Sequence, residues 1–189
     1  MVREVLERCG QLYLETGGYF DIRASYLPVA QGRQQVPVDP SGLVKGWSIA
    51  RAGHLLDEAG ARNFALYAGG DILVRGQALP DDSWRIGIQH PFHRDQLSAV
   101  IHTNNLAVAT SGAYERGEHI MNPHTALPPH GVLSVTITGP DLAVADAYAT
   151  AVYAMGTDGP AWAARLAGYE AMTILADHSV LSTTNFPFG

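Results

Sequence analysis

Val5, Leu6, Cys9, Leu12 and Tyr13 recur at helical spacing from the first residues of the chain, and the Gly17-Gly18 pair after them supplies a left-handed stop. The spacing predicts an opening helix. Periodicity then lapses from Pro28 through Gly32 and a Gln-rich piece up to Pro37, which reads as an irregular connection. It returns as a second helix over about 46–59, with Ile49, Ala52 and Leu56 on one stripe and Gly60 just past its end. Short β-like runs follow at 64–68, 72–75, 84–89, 99–102 and 106–110, and Asn104-Asn105 between the last two is hairpin chemistry, because Asn tolerates positive φ. A strand is expected at 132–138, a helix from Pro140 to about Met155 with Gly156 as its stop, and a short helix beginning at Asp158 and Pro160. A terminal hairpin closes the chain, with 171–176 and 180–183 joined across Asp177-His178. Hairpin runs of strands broken by separated helices predict an α+β architecture with a mainly antiparallel sheet.

The chain has 189 residues, 47% of them hydrophobic and 16% charged, enough for one sizeable core and too few for two independent ones. One domain over 1–189 is expected. A net charge of −6, with twelve Lys and Arg scattered along the chain, argues against a nucleic-acid or anionic-membrane partner. No apolar run approaches the roughly 20 residues that span a bilayer, and Arg3, Glu4, Glu7 and Arg8 stand where a signal-peptide core would be. No membrane span and a cytoplasmic location are therefore expected. The single Cys9 falls on the apolar face of the first helix and reads as a small core residue in a reducing compartment.

Some residues carry candidate chemistry. Asp146 and Thr150 are four apart on an expected helix, so a carboxylate and a hydroxyl share one face. Hard Mg²⁺ takes oxygen ligands and keeps waters and substrate phosphates, so these two with a backbone carbonyl could hold it; spacing alone favours a plainer surface role. Asp39, Lys45 and the glycines near them make a polar turn entering the second helix, where backbone N–H groups and an ammonium can meet phosphate. It is not a P-loop, since the GxxxxGK[ST] spacing is missing. His119 is the best proton-transfer candidate, because imidazole titrates near neutrality. His90 and His93 are not read as a zinc pair: Pro91 disfavours a helix presenting both rings, and no partner stands at a diagnostic spacing. Gly69-Gly70-Asp71 reads as a tight bend at a strand end.

Three segments in order resemble signatures of the ApbE-type FAD:protein FMN transferases: VDPSGLVKGWSIARAGHLLDEAGARNFALYAGGD at 38–71, ATSGAYERGEHIMNPHTALP at 109–128, and LAVADAYATAVYAMG at 142–156. Gly18-Tyr19-Phe20-Asp21 is similar to the family's Gly-Ala-Phe-Asp. The resemblance implies an ApbE-like, T-fold-related domain that transfers FMN from FAD to a Ser or Thr hydroxyl of an acceptor flavoprotein, releasing AMP. It implies Mg²⁺ on Asp146, Thr150 and the Gly42 carbonyl with Ala149 beside it, and FAD contacts from Tyr19, Phe20, Asp21, Asp39, Lys45, Thr110, Ser111, Gly112 and Ile120. His119 or Asp146 would remove the hydroxyl proton. Related proteins are often exported lipoproteins and usually carry a further N-terminal segment, so the domain is expected to be N-terminally incomplete, with an open apolar face that favours self-association. Asn122 stands for the usual Asp, Ala126 for the usual Gly, Tyr19 for a small residue, and the loop before His119 is short. Two alternatives remain open at this point: an FAD-binding or structural relic without transfer, and a Mg²⁺-dependent FAD pyrophosphatase.

Overall fold

The computed structural model describes residues 1–29, 37–80, 82–93, 95–112 and 120–189, with backbone alone for 27–29. His119, the proton-transfer candidate, and the loop before it lie outside the described residues. Helix α1 (Val2–Glu15) is followed by a 3₁₀ turn (Ala24–Val29), α2 (Ser41–Glu58) and five strands: β1 (Phe64–Ala68), β2 (Asp71–Arg75), β3 (Trp84–Gln89), β4 (Leu97–Thr103) and β5 (Leu106–Gly112). Then come β6 (Val132–Gly139), α3 (Leu142–Ala154), α4 (Gly159–Ala163), β7 (Glu170–Leu175) and β8 (Val180–Ser182). Six strands form one sheet in the order β1-β2-β5-β6-β7-β8, while β3 and β4 make a separate ribbon. Every pair is antiparallel, as the strand pattern predicts.

Alternation along the strands divides the core. Leu73, Ala107 and Ala109 point to one face of the sheet, against Ala145, Ala149 and Val152 of α3. Their neighbours Val74 and Val108 point to the other, against Ile86, Ile88 and Ile101 of the ribbon. On the outer side of α3, residues Ala143, Ala147 and Ala151 meet Val5, Cys9 and Leu12 of α1 and Leu43 of α2. Helix α3 is thus enclosed all round, with eleven of its thirteen residues buried. Small alanines let both layers come close, and a helix in that position has no solvent face to keep polar. Cys9 packs among these side chains as expected, and burial pushes its thiol up to about 11.

Two expectations are corrected. The second helix starts at Ser41 instead of 46, because the Asp39 side chain accepts the Ser41 N–H at 3.0 Å and begins the turn early. The Lys45-Gly46 pair therefore lies inside the helix. Asn104-Asn105 does not close a hairpin: β4 pairs with β3, and β5 inserts between β2 and β6, so the Asn pair carries the chain from the ribbon to the main sheet. The terminal β7-β8 hairpin forms as expected, with His178 at φ 69° in its turn.

The turn at 122–127 keeps a left-handed residue without a glycine. Ala126 has φ 55°, with its N–H donated to the Asn122 carbonyl at 2.8 Å. A Cβ in that region opposes the conformation, so Ala126→Gly should stabilise the fold by about 1 kcal/mol, read as a higher urea midpoint with an unchanged slope. A lower midpoint would show that the turn does not hold Ala126 there.

Candidate active site

Asp146 is the single carboxylate of α3 and is 3% exposed. Its Oδ2 accepts the Gly46 N–H at 3.0 Å across a helix contact that spans 100 residues of sequence. The contact is close because Gly46 has no side chain: a Cβ there would lie 2.4 Å from the Leu142 carbonyl oxygen and 2.9 Å from Asp146 Cβ. The Lys45 Nζ lies 3.7 Å from Asp146 Oδ1 and 3.0 Å from Asp71 Oδ2, and it donates to the Gly69 carbonyl at 3.3 Å. Asp71 is fully buried. It is delivered by a two-residue hairpin in which Gly69 (φ 53°) and Gly70 (φ 88°) supply the positive angles of a type I′ turn. Two buried carboxylates and one ammonium thus form the floor of the site.

Burial first, and the nearby Asp71 charge second, push the Asp146 carboxyl up to about 7, against the opposing pull of Lys45 and the Gly46 N–H. An unfolded chain holds this proton only below about pH 4. Between those values the folded protein binds the extra proton, so the stability it contributes is fully present below about pH 4 and is lost as pH rises through the folded value. Urea melts of metal-free protein should therefore show wild type losing stability relative to Asp146→Asn as pH rises toward 7, by at most about 1.4 kcal/mol per pH unit. Parallel curves for the two proteins would refute this.

One turn on, Thr150 Oγ1 stands 3.5 Å from Ser111 Oγ, and a Cβ on Gly42 would lie 2.9 Å from the same hydroxyl. The bare backbone of Gly42 therefore leaves a hollow beside Thr150. The Gly42 carbonyl has two lone pairs, of which a helical N–H takes at most one, so it keeps acceptor capacity for a cation. A carboxylate, a hydroxyl and a carbonyl around a hollow are hard oxygen donors suited to Mg²⁺. Among the described residues no group of three or more His, Cys, Asp and Glu is placed to hold a metal, so any such site relies on mixed oxygen donors.

Gly42, Lys45, Ser111, Asp146 and Thr150 line a cleft of about 120 Å³, room for several waters or a phosphate group, while Asp71 holds Lys45 from outside that lining. Of the residues singled out from sequence, Tyr19, Phe20, Asp21, Asp39, Gly42, Lys45, Thr110, Ser111, Gly112, Ile120, Asp146 and Thr150 all line it. Ala149 does not; its side chain is in the core against the sheet. Asp21 is held by Arg23 in a two-pronged pair at 2.9 and 3.0 Å, which raises the guanidinium further above its ordinary value. The Tyr19 ring leans on His124, centroids 4.4 Å apart, and a His124 ring nitrogen lies 3.1 Å from the Gly17 carbonyl. His90 Nδ1 accepts the Phe92 and His93 N–H groups at 3.2 and 3.3 Å, which gives that ring a local turn role.

The resemblance placed Gly69-Gly70-Asp71 near the active site without giving Asp71 a role, and sequence reasoning missed Ile22, Ala24, Ser25, Ser41 and Met121 on the walls. A carboxylate opening the apolar strand DILVR was the available signal for Asp71.

Residues 23–173 match the profile of the ApbE family, most of the chain and all of the cleft lining except Tyr19, Phe20, Asp21 and Ile22. The chain belongs to the ApbE family. It is 30% identical over 135 residues to the FAD:protein FMN transferase of Haemophilus influenzae, covering 66% of this chain and 39% of that protein. With the FAD:protein FMN transferase of Rhodobacter capsulatus it shares 33% identity over 172 residues, 86% of this chain and 33% of that one. The chain thus spans between a third and two fifths of the length of these two relatives. Among solved structures, the flavin transferase ApbE from Vibrio cholerae superposes with a TM-score of 0.83 at 24% identity, covering 98% of this chain and 76% of that one. The ApbE protein from Thermotoga maritima gives 0.80, also at 24% identity, covering 97% and 75%. These likenesses establish the ApbE fold for the chain. No helix among the described residues is long and apolar enough to cross a membrane.

Proposed function

We propose that this chain binds FAD in the cleft and transfers its FMN part to a Ser or Thr hydroxyl of an acceptor flavoprotein, with release of AMP. The observation that carries the reading is the floor of the cleft, where Asp146, Lys45 and the Gly42–Thr150 hollow meet beneath walls contributed by the family's matched segments. In the reaction the acceptor oxygen forms a bond to the phosphorus of the FMN half, the anhydride P–O bond to AMP breaks, and the hydroxyl proton passes to a base. Lys45, anchored at the floor with part of its side chain exposed, meets the negative charge of the pyrophosphate. Magnesium, when bound by Asp146, Thr150 and the Gly42 carbonyl, neutralises pyrophosphate charge in the transition state. Ala149 supports that site from the core side by packing α3 on the sheet. Asp21, fixed by Arg23, and Tyr19, braced by His124, shape the wall that the FAD ring systems meet. Proton removal falls to His119 or Asp146.

The test is incubation of the protein with FAD and an apo acceptor flavoprotein, with Mg²⁺ or with a chelator, followed by in-gel flavin fluorescence and analysis of released nucleotide. Covalent labelling of the acceptor that needs Mg²⁺ and liberates AMP supports the reading. Release of both FMN and AMP without labelling would assign the pyrophosphatase reaction instead. Folded protein that neither binds nor consumes FAD would assign a structural relic.

A further inference from the structure

Lys45 is shared unequally between two buried carboxylates. Its Nζ is 3.0 Å from Asp71 Oδ2 and 3.7 Å from Asp146 Oδ1, and the Gly69 carbonyl at 3.3 Å holds it on the Asp71 side. We propose that Asp71 is a positioning residue that holds the Lys45 ammonium off Asp146 and thereby keeps Asp146 open to an incoming divalent cation. The proposal rests on the reading of Asp146 as a cation ligand.

Ammonium and metal ion would compete for one carboxylate in a place with little water. Asp146 has one oxygen committed to the Gly46 N–H, so Oδ1 is the oxygen left for a cation, and it is also the one nearest the ammonium. An ammonium in contact with that oxygen would occupy the approach and cancel the charge that attracts a metal, an effect strengthened by burial of both carboxylates. Asp71 is built to prevent this. It leads out of a two-glycine turn whose first carbonyl also binds Lys45, so turn and carboxylate act as one clamp on the ammonium from the β1-β2 hairpin. With Asp71 neutral, the nearest full negative charge available to Lys45 is Asp146 itself.

The experiment is titration of the purified chain with Mn²⁺ alone, without nucleotide, in wild type, Asp71→Asn, Lys45→Met, the double variant and Asp146→Asn. Wild type is expected to bind Mn²⁺ in a manner lost in Asp146→Asn. Asp71→Asn should bind about tenfold or more weakly, and adding Lys45→Met should restore affinity to wild type or better, because the competitor is gone. Rescue by a second substitution separates positioning from a mere loss of structure. Should Asp71→Asn fail to fold, Lys45→Met alone carries the test: it should bind Mn²⁺ at least as tightly as wild type, and weaker binding would overturn the proposal. Unchanged affinity in folded Asp71→Asn, or no rescue in the double variant, would overturn it and leave the Asp146 site standing. Absence of any Asp146-dependent Mn²⁺ binding in wild type would remove the ligand reading and the proposal together.

Discussion

Gly46→Ala is expected to destabilise the protein by about 3 kcal/mol and to lower its thermal midpoint by several degrees, although alanine is the better helix former by about 1 kcal/mol. The new methyl group would lie 2.4 Å from the Leu142 backbone oxygen and 2.9 Å from Asp146 Cβ. A backbone oxygen cannot turn away, so α2 and α3 must separate, and the Gly46 N–H to Asp146 bond lengthens with them. Gly10 in α1 is the internal control. It is exposed, nothing lies within 4 Å of the position its Cβ would take, and Gly10→Ala should therefore stabilise by about the propensity difference of 1 kcal/mol. Two identical substitutions with opposite signs, measured by urea melts, isolate the helix contact as the cause. Equal effects at the two positions would mean that α2 and α3 are not packed as closely as the geometry gives.

That contact also shows what a sequence conceals. The pair Asp146 and Thr150 was legible, because four-residue spacing on a helix is local information, and the alternation of 132–138 gave β6 for the same reason. The tasks of Gly42 and Gly46 were not. Two glycines and a lysine look like the end of a turn, and only the approach of α3 from a distant part of the chain turns them into the first turns of a helix that need small residues. Asn104-Asn105 failed in a related way: local chemistry allows a hairpin there, but β4 takes β3 as its partner while β5 takes β2 and β6, and Ile101 of the ribbon meets Val108 of the main sheet face to face in one shared core. The resemblance put Asp71 near the site, but its task was hidden because an acidic residue after two glycines has the signature of any strand-opening turn. Its partner Lys45 is brought to it by the fold. Family resemblance supplied the role proposed for Gly42, which spacing could not, while the pairing of Lys45 with Asp71 came from the geometry alone.

Asp146→Asn should separate function from stability. The amide keeps the shape of the carboxyl, and its oxygen can still accept the Gly46 N–H. What it removes is a buried negative charge, whose carboxyl is pushed up to about 7 by burial first and by the facing Asp71 charge second. Above that pH the wild-type carboxylate is ionised against its surroundings, so the Asn variant should be more stable than metal-free wild type at pH 8, by roughly 2 kcal/mol. The same variant should lose Mg²⁺-dependent FAD binding by about 100-fold or more, because a neutral amide is a poor substitute for a carboxylate toward a hard cation. Asp146→Ala should also lose the binding but by a different route in stability: it removes the bond between α3 and the Gly46 N–H and opens a void, and should be destabilised by about 2 kcal/mol. Calorimetric titration with FAD at fixed Mg²⁺, beside urea melts of both variants with a chelator, reads the two effects independently. An Asn variant that still binds FAD within a few-fold of wild type would place the metal elsewhere. One that binds nothing yet melts higher would show that this carboxylate is retained at the expense of stability, which is what a charge kept for its chemistry, and not for the fold, requires.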